Sequence, residues 1–510
     1  MKTRKSAPTL HLKSLAIATN LRIQLGFIVA FIVLGVAIPL TISSSVRTLD
    51  IEGPEWWLLV IVIWSAARLS QLIAKAKVRP LVFSFHTFVY VWLGLAPLAQ
   101  YDANYLPLLT PLLGIRPRNS GYDDLVPLVI LAGIVAFELG HSWKTEAPLK
   151  WRGELRRIRL ELLCLTAIPL AGIAVMLRGG LITLFSARQI SRELAGATEG
   201  AESLVGYGLA RAALGFPLLV AVLGLIVWRR SGRSPGHRGI VSSPAWMVAL
   251  VLALAVVSLP ISSTRVWTGT VVLAIGFALA TTGSRARRRL TMVLALAAVL
   301  LVFPYADLFR RDLSTSLEIT SARNQLATNS SYSMYAQIAM GVSYVDRSGF
   351  SFGQQSIGSL FFFVPRSLWS GKPIDTGDLV ALAEGLPSRL NPSSPLWEEG
   401  FVEGGWGGVV ILFFLLGFVS ARLERHGDND LRYARKGRAS LLVPLLGGYL
   451  IFILRGSLLA ATPTLAGLLV IVWAITARRR RSVLHHHDQI GATNQPSFDT
   501  RLHARVDRES

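Results

Sequence analysis

The sequence contains little cysteine and little charge. Its 510 residues include a single cysteine, Cys164, which lies inside an apolar run, so a disulfide framework and a thiolate metal site are both excluded. Only 16% of the residues are Asp, Glu, Lys or Arg, whereas 52% are hydrophobic. A soluble protein of this length has amphipathic segments with charges on most turns, and this sequence does not show them.

The charged residues that are present lie between uncharged apolar runs. Each run is about as long as the roughly 20 residues that an α-helix needs to cross ~30 Å of hydrocarbon. We therefore predict an all-α polytopic membrane protein with about twelve transmembrane helices. The expected ranges are 23–42, 56–74, 80–99, 124–143, 158–177, 208–228, 244–262, 266–282, 290–306, 402–421, 440–455 and 461–477.

The distribution of basic residues predicts the orientation of these helices. With the N-terminus in the cytoplasm, 36 of the 52 Lys and Arg residues fall in cytoplasmic segments, as the positive-inside rule requires. The net charge of +22 is then mostly a topology signal, with attraction to anionic membrane lipid as a secondary effect. No nucleic-acid partner is predicted, because the basic runs are short and separated by membrane.

This orientation divides the chain into five parts, with both termini in the cytoplasm. The parts are an N-terminal tail (1–22), helices one to nine (23–306), the long extracytoplasmic loop (307–401), helices ten to twelve (402–477) and a polar tail predicted to be disordered (478–510). Long loops more often have a function than serve only as connections, so the functional site is expected in the long extracytoplasmic loop.

Basic residues on the predicted outer side are candidates for phosphate binding. Any one of them is better explained by snorkelling or ion pairing, but several separate parts of the chain supply an Arg there, against the positive-inside rule. The planar fork of Arg suits phosphate oxygens, so the set favours a lipid-linked phosphate or pyrophosphate. The predicted substrate-binding residues are Arg178, Arg188, Arg192, Arg211, Arg265, Arg310, Trp369, Lys372, Arg389 and Arg455.

Carboxylates at the end of the long loop are the candidates for acid–base chemistry. The stretch "PLWEEGFVEGGWGG", residues 395–408, brings Glu398 and Glu399 to the mouth of the tenth helix. They either favour the N-terminus of that helix electrostatically or take part in catalysis. All nine histidines fall on the inner side, so an outer reaction relies on carboxylates. The predicted catalytic residues are Glu398, Glu399 and Arg366, with Asp375 a weaker candidate.

No metal or other cofactor is predicted. The sequence has no GxxxxGK[ST], GxSxG or HExxH motif. The "DND" at 428–430 has a metal-binding spacing, but it falls in a predicted cytoplasmic loop, and so short a match is expected by chance. Within the helices, Arg68 and Glu138 lie near cytoplasmic ends, where they can snorkel or pair. The middle of each helix is uncharged, which weakens an ion-coupled transporter.

Six phrases occur in a characteristic order along the chain. They are "GGLITLFSARQISRE", "LPISSTRVWTGT", "FPYADLFRRD", "GQQSIGSLFFFVPRSLWSGKPIDTG", "PLWEEGFVEGGWGGV" and "FILRGS". Together they resemble the O-antigen (Wzy-type) polysaccharide polymerases, also called oligosaccharide repeat unit polymerases. Some members of that family have an Arg, ten residues and a Gly in both outer loops; Arg366 with Gly377 fits this pattern in the long loop, and the shorter loop departs from it.

The resemblance implies a metal-independent glycosyltransferase of the bacterial cytoplasmic membrane. Such an enzyme joins polyprenyl-pyrophosphate-linked oligosaccharide repeat units on the extracytoplasmic face, with a flippase and a chain-length regulator as partners. The pyrophosphate is a good leaving group, so Arg is expected to compensate its charge while a carboxylate activates the acceptor hydroxyl. Trp369, Trp397 and Trp406 are candidates for stacking on sugars, although outer Trp residues also anchor helices at the membrane interface.

Two alternatives stay open. An O-antigen ligase-like transferase would share the topology, but its relatives commonly use a His in the large outer loop, where this sequence has none. A glycan-lipid flippase or other transporter also has about twelve helices. The long outer loop and the uncharged centres of the helices argue against a transporter.

Overall fold

The computed structural model describes residues 7–51, 53–117, 121–122, 124–143, 153–177, 180–185, 201–230, 239–261, 263–305, 320–387 and 392–477. This part of the chain is almost entirely helical. Its one pair of strands is antiparallel and joins Glu154–Leu155 to Thr476–Ala477, with Glu154 opposite Ala477.

The first half of the described chain contains long helices with short ones between them. Two of the long helices include a π-helical stretch, at Val33–Ala37 and Val89–Leu95. The helices are Ala7–Ile32, Ile38–Ile42, Ser44–Thr48, Glu55–Lys75, Pro80–Phe88, Ala96–Asp102, Leu109–Leu113, Leu125–Ser142, Arg157–Leu177, Ile182–Phe185, Ala201–Arg230, a 3-10 turn at Ile240–Ser242, and Pro244–Val257.

The second half has shorter helices between two groups of long ones. Hydroxyl caps mark several N-termini: Thr264 accepts a hydrogen bond from the Trp267 N–H, and Ser457 from the Ala460 N–H. The helices are Arg265–Ala280, Arg285–Ala297 with a π-helical stretch at Ala298–Val302, Ala322–Thr328, a 3-10 turn at Ser330–Tyr332, Met334–Ser348, Gln354–Leu360, Thr376–Ala383, Leu396–Arg432, Arg438–Arg455 and Leu458–Ile475.

The chain is an all-α protein with helices suited to a membrane. Among the described residues, eight helical segments are long and apolar enough to cross one, and two shorter helices, Pro244–Val257 and Arg265–Ala280, are also apolar. The eight are Asn20–Ile42, Glu55–Lys75, Pro80–Asp102, Leu125–Ser142, Arg157–Leu177, Leu396–Arg432, Arg438–Arg455 and Leu458–Ile475. Helical structure also overlaps each of the other ranges predicted from the sequence.

Helical structure extends beyond the membrane spans predicted from the sequence. Helical structure begins at Ala7, inside the expected tail 1–22, and the expected loop 307–401 contains several helices of its own. The long helix Leu396–Arg432 begins inside that expected loop and continues through Asp428–Asp430, which were expected in a connection. A hydropathy profile detects only the apolar middle of such a helix, because the polar composition of its ends is the same as that of a loop.

Glycines let the two central helices pack closely. Leu125–Ser142 lies along Leu396–Arg432, and a Cβ at Gly140 or Gly417 would collide with a backbone carbonyl of the other helix. Small residues that allow this approach are typical of helix contacts in membranes. The indole of Trp397, which is fully buried, packs over Gly133 and donates from Nε1 to the carbonyl oxygen of Ile130 at 3.1 Å.

Contacts between the helix ends fall into two groups. We call one end of the bundle the carboxylate end, after Glu399, and the other the strand end, after the strand pair. Contacts at the carboxylate end are Ser44 with Asp102, Arg323 with Asp102, Arg265 with Ser331 and Leu458 with Glu399. Contacts at the strand end are Arg289 with Ala74, Arg79 with Glu424, Arg230 with Ser440 and Glu154 with Ala477.

Candidate functional site

Three distant segments meet at the carboxyl group of Glu399. Its Oε2 accepts a hydrogen bond from the Thr376 hydroxyl at 2.8 Å, and its Oε1 accepts one from the backbone N–H of Leu458 at 3.0 Å. The hydroxyl of Ser457 donates to the carboxylate of Asp375, so a second bond joins two of the same segments. These segments contain the phrases "PIDTG", "PLWEEG" and "FILRGS", and the structure brings them together.

A sharp break in the long helix positions the acids. Gly404 and Gly405 have non-helical backbone angles, and Gly405 has a φ of +59°, which favours glycine. Residues 396–403, which we call the half-helix, turn back so that Gly400 lies against Gly408 and Val409. Glu398 and Glu399 are therefore packed inside the protein, each 1% exposed, rather than in an open loop.

Glu398 differs from its neighbour in making no well-formed hydrogen bond. The hydroxyl of Ser394, also fully buried, is close enough to act on the Glu398 carboxyl group, but the two do not meet in hydrogen-bond geometry, and neither carboxyl oxygen bonds to another described residue. Its side chain packs on Gly341 of the helix Met334–Ser348, where a Cβ would lie 2.7 Å from the Glu398 Cγ. Burial of an unpaired polar group is costly, so Glu398 is a group that a ligand or a proton would satisfy.

Glu403 holds a neighbouring turn at the break. Its carboxylate accepts hydrogen bonds from the backbone N–H of Ser356 and, at 3.3 Å, from the hydroxyl of Ser351. The backbone N–H groups of Ser351 and Phe352 donate to the carbonyl oxygens of Val402 and Glu403. The role of Glu403 visible here is to fix the turn that precedes the helix Gln354–Leu360.

Burial also affects the acids outside the half-helix. It raises the pKa of Asp375, against the effect of hydrogen bonds from Ser457 and from the backbone N–H of Gly377. It raises the pKa of Asp378, one turn further along the same helix. The site therefore combines several carboxyl groups in surroundings that disfavour their charged forms.

Arg366 and Lys372 lie in the same connection but do not contact Glu398 or Glu399. Arg366 is exposed; its Nη1 donates to the carbonyl oxygen of Lys372 at 2.7 Å and its Nη2 to that of Pro373 at 3.1 Å. The Nζ of Lys372 donates to the carbonyl oxygens of Phe362 and Val364. Burial, and then the charge of Arg366, lower the pKa of Lys372. The two cations hold together the loop that leads into Asp375.

The other predicted substrate-binding and sugar-stacking residues lie in different parts of the structure. Arg265 donates from Nη2 to the Ser331 hydroxyl at 3.0 Å and lies over the Phe303 ring, while Arg455 ends the helix that leads directly to Ser457. Trp369 is half-buried in the Arg366 loop. Trp397 stacks among core aromatics, including Phe413 at 4.1 Å between ring centroids, so it is not placed to stack on a sugar.

Several expected ligands cannot be placed. Arg211 lies in the helix Ala201–Arg230, of which the backbone but not this side chain is described. The residues outside the described part of the chain are Arg178, Arg188, Arg192, Arg310 and Arg389.

The hydroxyl and backbone partners of the acids could not be predicted from the sequence. Thr376, Ser457 and the N–H of Leu458 each begin a helix, and a Ser or Thr before an apolar run does signal such a start. That signal does not reveal which acid the residue meets. No cluster of three His, Cys, Asp or Glu side chains suited to a metal ion occurs within the described ranges.

A second polar cluster lies within the helices, toward the strand end. Glu138 accepts hydrogen bonds from Arg68 at 2.6 and 2.8 Å, and its Oε1 lies 2.9 Å from Nε2 of the fully buried His86. Arg68 and Glu138 line an open groove of about 380 Å³ together with Trp64 and Ala67. The sequence left snorkelling and pairing open for these charges, and Arg68 and Glu138 pair.

Comparisons with protein-family models, with curated proteins and with solved structures found no match to this chain.

Proposed function

We propose that this protein is a glycosyltransferase of the bacterial cytoplasmic membrane that polymerises polyprenyl-pyrophosphate-linked oligosaccharide repeat units. The observation that carries the proposal is the meeting of Asp375, Glu399 and Ser457 at one end of an apolar helix bundle. The three segments involved are among those that resemble the Wzy-type polymerases. Their convergence is what a shared active site requires, and unrelated loops would not need it.

We propose further that the chain crosses the membrane twelve times, with the carboxylate end outside. The connections between the twelve proposed helices can be numbered in order from the N-terminus. The connections that make the contacts named above at the carboxylate end then have odd numbers, and those that make the contacts at the strand end have even numbers. Twelve crossings with both termini on one side would produce this separation. The excess of Lys and Arg in the even connections and the tails supports the cytoplasm as the side of the strand end.

In the proposed reaction, an acceptor hydroxyl attacks the anomeric carbon of the donor sugar. The bond from that carbon to the pyrophosphate oxygen breaks, and polyprenyl pyrophosphate leaves. The hydroxyl proton passes to Glu398, which acts as a carboxylate once opening of the half-helix has let water take its own proton. Of the two adjacent acids, Glu398 is the one with free oxygens. Glu399 positions the half-helix, since Thr376 and Leu458 already occupy both of its oxygens. No metal or other cofactor is needed for these steps.

Access to Glu398 requires movement. Its side chain is 1% exposed, so an acceptor sugar reaches it only when the half-helix shifts. The backbone break at Gly404 and Gly405 is the natural hinge for such a shift. Arg366, with two of its five N–H groups used by the loop, keeps three for pyrophosphate oxygens.

A transporter is the second candidate, and two observations favour it. A broken helix with acids at the break is a common arrangement at transporter binding sites, and the Arg68–Glu138–His86 cluster places ionisable groups inside the helices. A ligase-like transferase remains the alternative within the same reaction class.

Deletion of the gene separates these functions. The surface glycan of the deletion strain is analysed on a gel, and we expect single repeat units on the cell surface, with long chains restored by the wild-type gene. Accumulated long lipid-linked chains would instead show a ligase, and repeat units trapped inside the cell would show a flippase.

The role of Arg366 can be tested in the same assay. We expect Arg366→Lys to slow polymerisation by about tenfold or more, because charge-assisted hydrogen bonds contribute about 1.5–3 kcal/mol each and Lys cannot reproduce the fork. Lys372→Met is the matched variant, because it loosens the same loop without altering Arg366. We expect Arg366→Lys to be much slower than Lys372→Met at equal protein level. If both variants lose the same polymerisation activity, and protease cleaves the loop equally faster in both, then the only role of Arg366 is to hold the loop.

A further inference from the structure

One stretch of the long connection exposes many large apolar side chains. Phe352 is 81% exposed, Leu368 80% and Phe363 66%. These fractions match those of outward-facing residues on the membrane helices, such as Trp473 at 68%. So many large apolar side chains exposed within one short stretch are unusual on the surface of a monomeric soluble protein and point to a partner or to lipid.

The helix Gln354–Leu360 within this stretch is oriented with its polar side inward. Gln355 and Ser359 are buried, whereas Ile357 and Leu360 are exposed. A helix that packs on a protein in water has the opposite arrangement, with its apolar face toward the core. Apolar side chains that point outward are expected where the surroundings are lipid.

Contacts place this stretch at the level where two membrane helices begin. The backbone N–H of Ser351 donates to the carbonyl oxygen of Val402, immediately before the break in the long helix, and the Phe350 ring packs at Gly405. The helix Gln354–Leu360 packs against the helix Leu458–Ile475. The exposed side chains are therefore continuous with the lipid-facing surface of the bundle.

The irregular backbone that follows the helix is satisfied internally. Arg366 and Lys372 donate to the carbonyl oxygens of Phe362, Val364, Lys372 and Pro373. Backbone groups without a water partner must be satisfied by the protein, which is a strict requirement next to lipid. A loop in bulk water would not need two cations for this purpose.

We propose that residues 350–369 form an interfacial segment that lies in the membrane leaflet at the carboxylate end. Phe352, Ile357, Leu360, Phe361, Phe363 and Leu368 enter the boundary between headgroups and acyl chains. The partner is the phospholipid surface itself, so the inference is independent of the reaction that the protein catalyses.

Depth-dependent fluorescence quenching tests this inference. Cys164 is buried, so a thiol-reactive fluorophore labels a cysteine introduced by Leu360→Cys, Phe363→Cys or Leu368→Cys, and the unmodified protein gives the background. Each labelled protein is reconstituted in vesicles of phosphatidylethanolamine and phosphatidylglycerol that have a nitroxide near the headgroup end of one acyl chain. The matched control is Asp346→Cys, an exposed charged position in the preceding helix.

We expect nitroxide lipid to quench most of the fluorescence at the three apolar positions, and aqueous iodide to quench the control far more than them. Iodide quenching at all four positions would show that the segment faces water and would overturn the inference. Weak quenching by both agents at the three positions would show that protein covers the patch, as in a complex with a second copy, and would overturn it equally. Agreement among the three positions guards against a local effect of any one substitution.

Discussion

Glu398 and Glu399 are neighbours in the chain, but their carboxyl groups have different surroundings. Both oxygens of Glu399 accept hydrogen bonds, from Thr376 and Leu458, whereas both oxygens of Glu398 are buried without a partner. In a helix, adjacent side chains point about 100° apart, so one faces the last helix while the other faces Gly341. Glu399 can therefore stabilise the fold while Glu398, the same residue type at the next position, is left for chemistry.

The pair of substitutions to Gln tests this division. We expect Glu399→Gln to destabilise the protein by about 1 kcal/mol, because the amide has one acceptor oxygen where the carboxyl group has two, so the Thr376 hydroxyl must turn to accept a hydrogen bond from the amide nitrogen. Glu398→Gln should leave stability nearly unchanged, since the two side chains have the same size and Glu398 makes no well-formed hydrogen bond that the substitution would remove, while abolishing polymerisation. Thermal unfolding in detergent and the glycan assay measure the two effects. A loss of stability in Glu398→Gln as large as that in Glu399→Gln would contradict the assignment.

At the scale of the element, the half-helix depends on glycine for its position. Its backbone passes so close to the following helix that Gly400 and Gly408 leave no room for a side chain between them. The positive φ of Gly405 makes the turn itself, with the Phe350 ring against it. The sequence "GGWGG" therefore encodes a sharp reversal of the chain.

Two adjacent glycines provide a matched test of this packing. A Cβ at Gly408 would collide with the carbonyl oxygen of Gly400, whereas one at Gly407 would meet nothing within 4 Å. We expect Gly408→Ala to destabilise the protein by about 1–3 kcal/mol through overpacking. Gly407→Ala should be neutral or stabilise it by about 0.5–1 kcal/mol, since Ala favours helix. The melting temperatures of the two variants decide the matter, and equal values would mean that the half-helix does not pack as described.

At the scale of the whole molecule, the helix ends separate into two sets, and each set concentrates different chemistry. At the carboxylate end, Asp375 and Glu399 bond to the start of the last helix and the buried Glu398 follows in the same half-helix, whereas Glu424 at the strand end faces the cation of Arg79. A reaction on lipid-linked sugars at one face requires this kind of asymmetry. The orientation of the bundle then decides which compartment the substrate must come from.

Fusion reporters measure that orientation. We expect a reporter fused after Gly371, in the exposed loop beside the carboxylate end, to be extracytoplasmic, and one fused after Lys436 to be cytoplasmic. The second position lies between the helices Leu396–Arg432 and Arg438–Arg455, so a fusion there interrupts neither helix. Activity of both fusions on the same side of the membrane would remove the basis for an outer active site.

The sequence predicted part of the candidate site. It identified Glu398, Glu399 and Asp375, because acids stand out in an apolar chain, and the structure brings them close to one another. It also predicted a sugar-stacking role for Trp397, which is instead a core residue, since a Trp near an acidic stretch looks the same in sequence whichever way its side chain points. The contacts of Arg366 with the carbonyl oxygens of its loop depend on a backbone turn that no sequence pattern indicates.

The sequence by itself determined the helical class and the placement of most helices, because hydropathy and length are local properties that the thickness of a membrane constrains. It also determined the uneven distribution of basic residues along the connections. Only the tertiary structure decided that Thr376, Glu399 and Leu458 share one cluster, that Glu398 remains unpartnered, and that the long helix breaks at Gly405. These features arise from close packing between segments far apart in the chain, and such packing depends on backbone positions that no single stretch of sequence specifies.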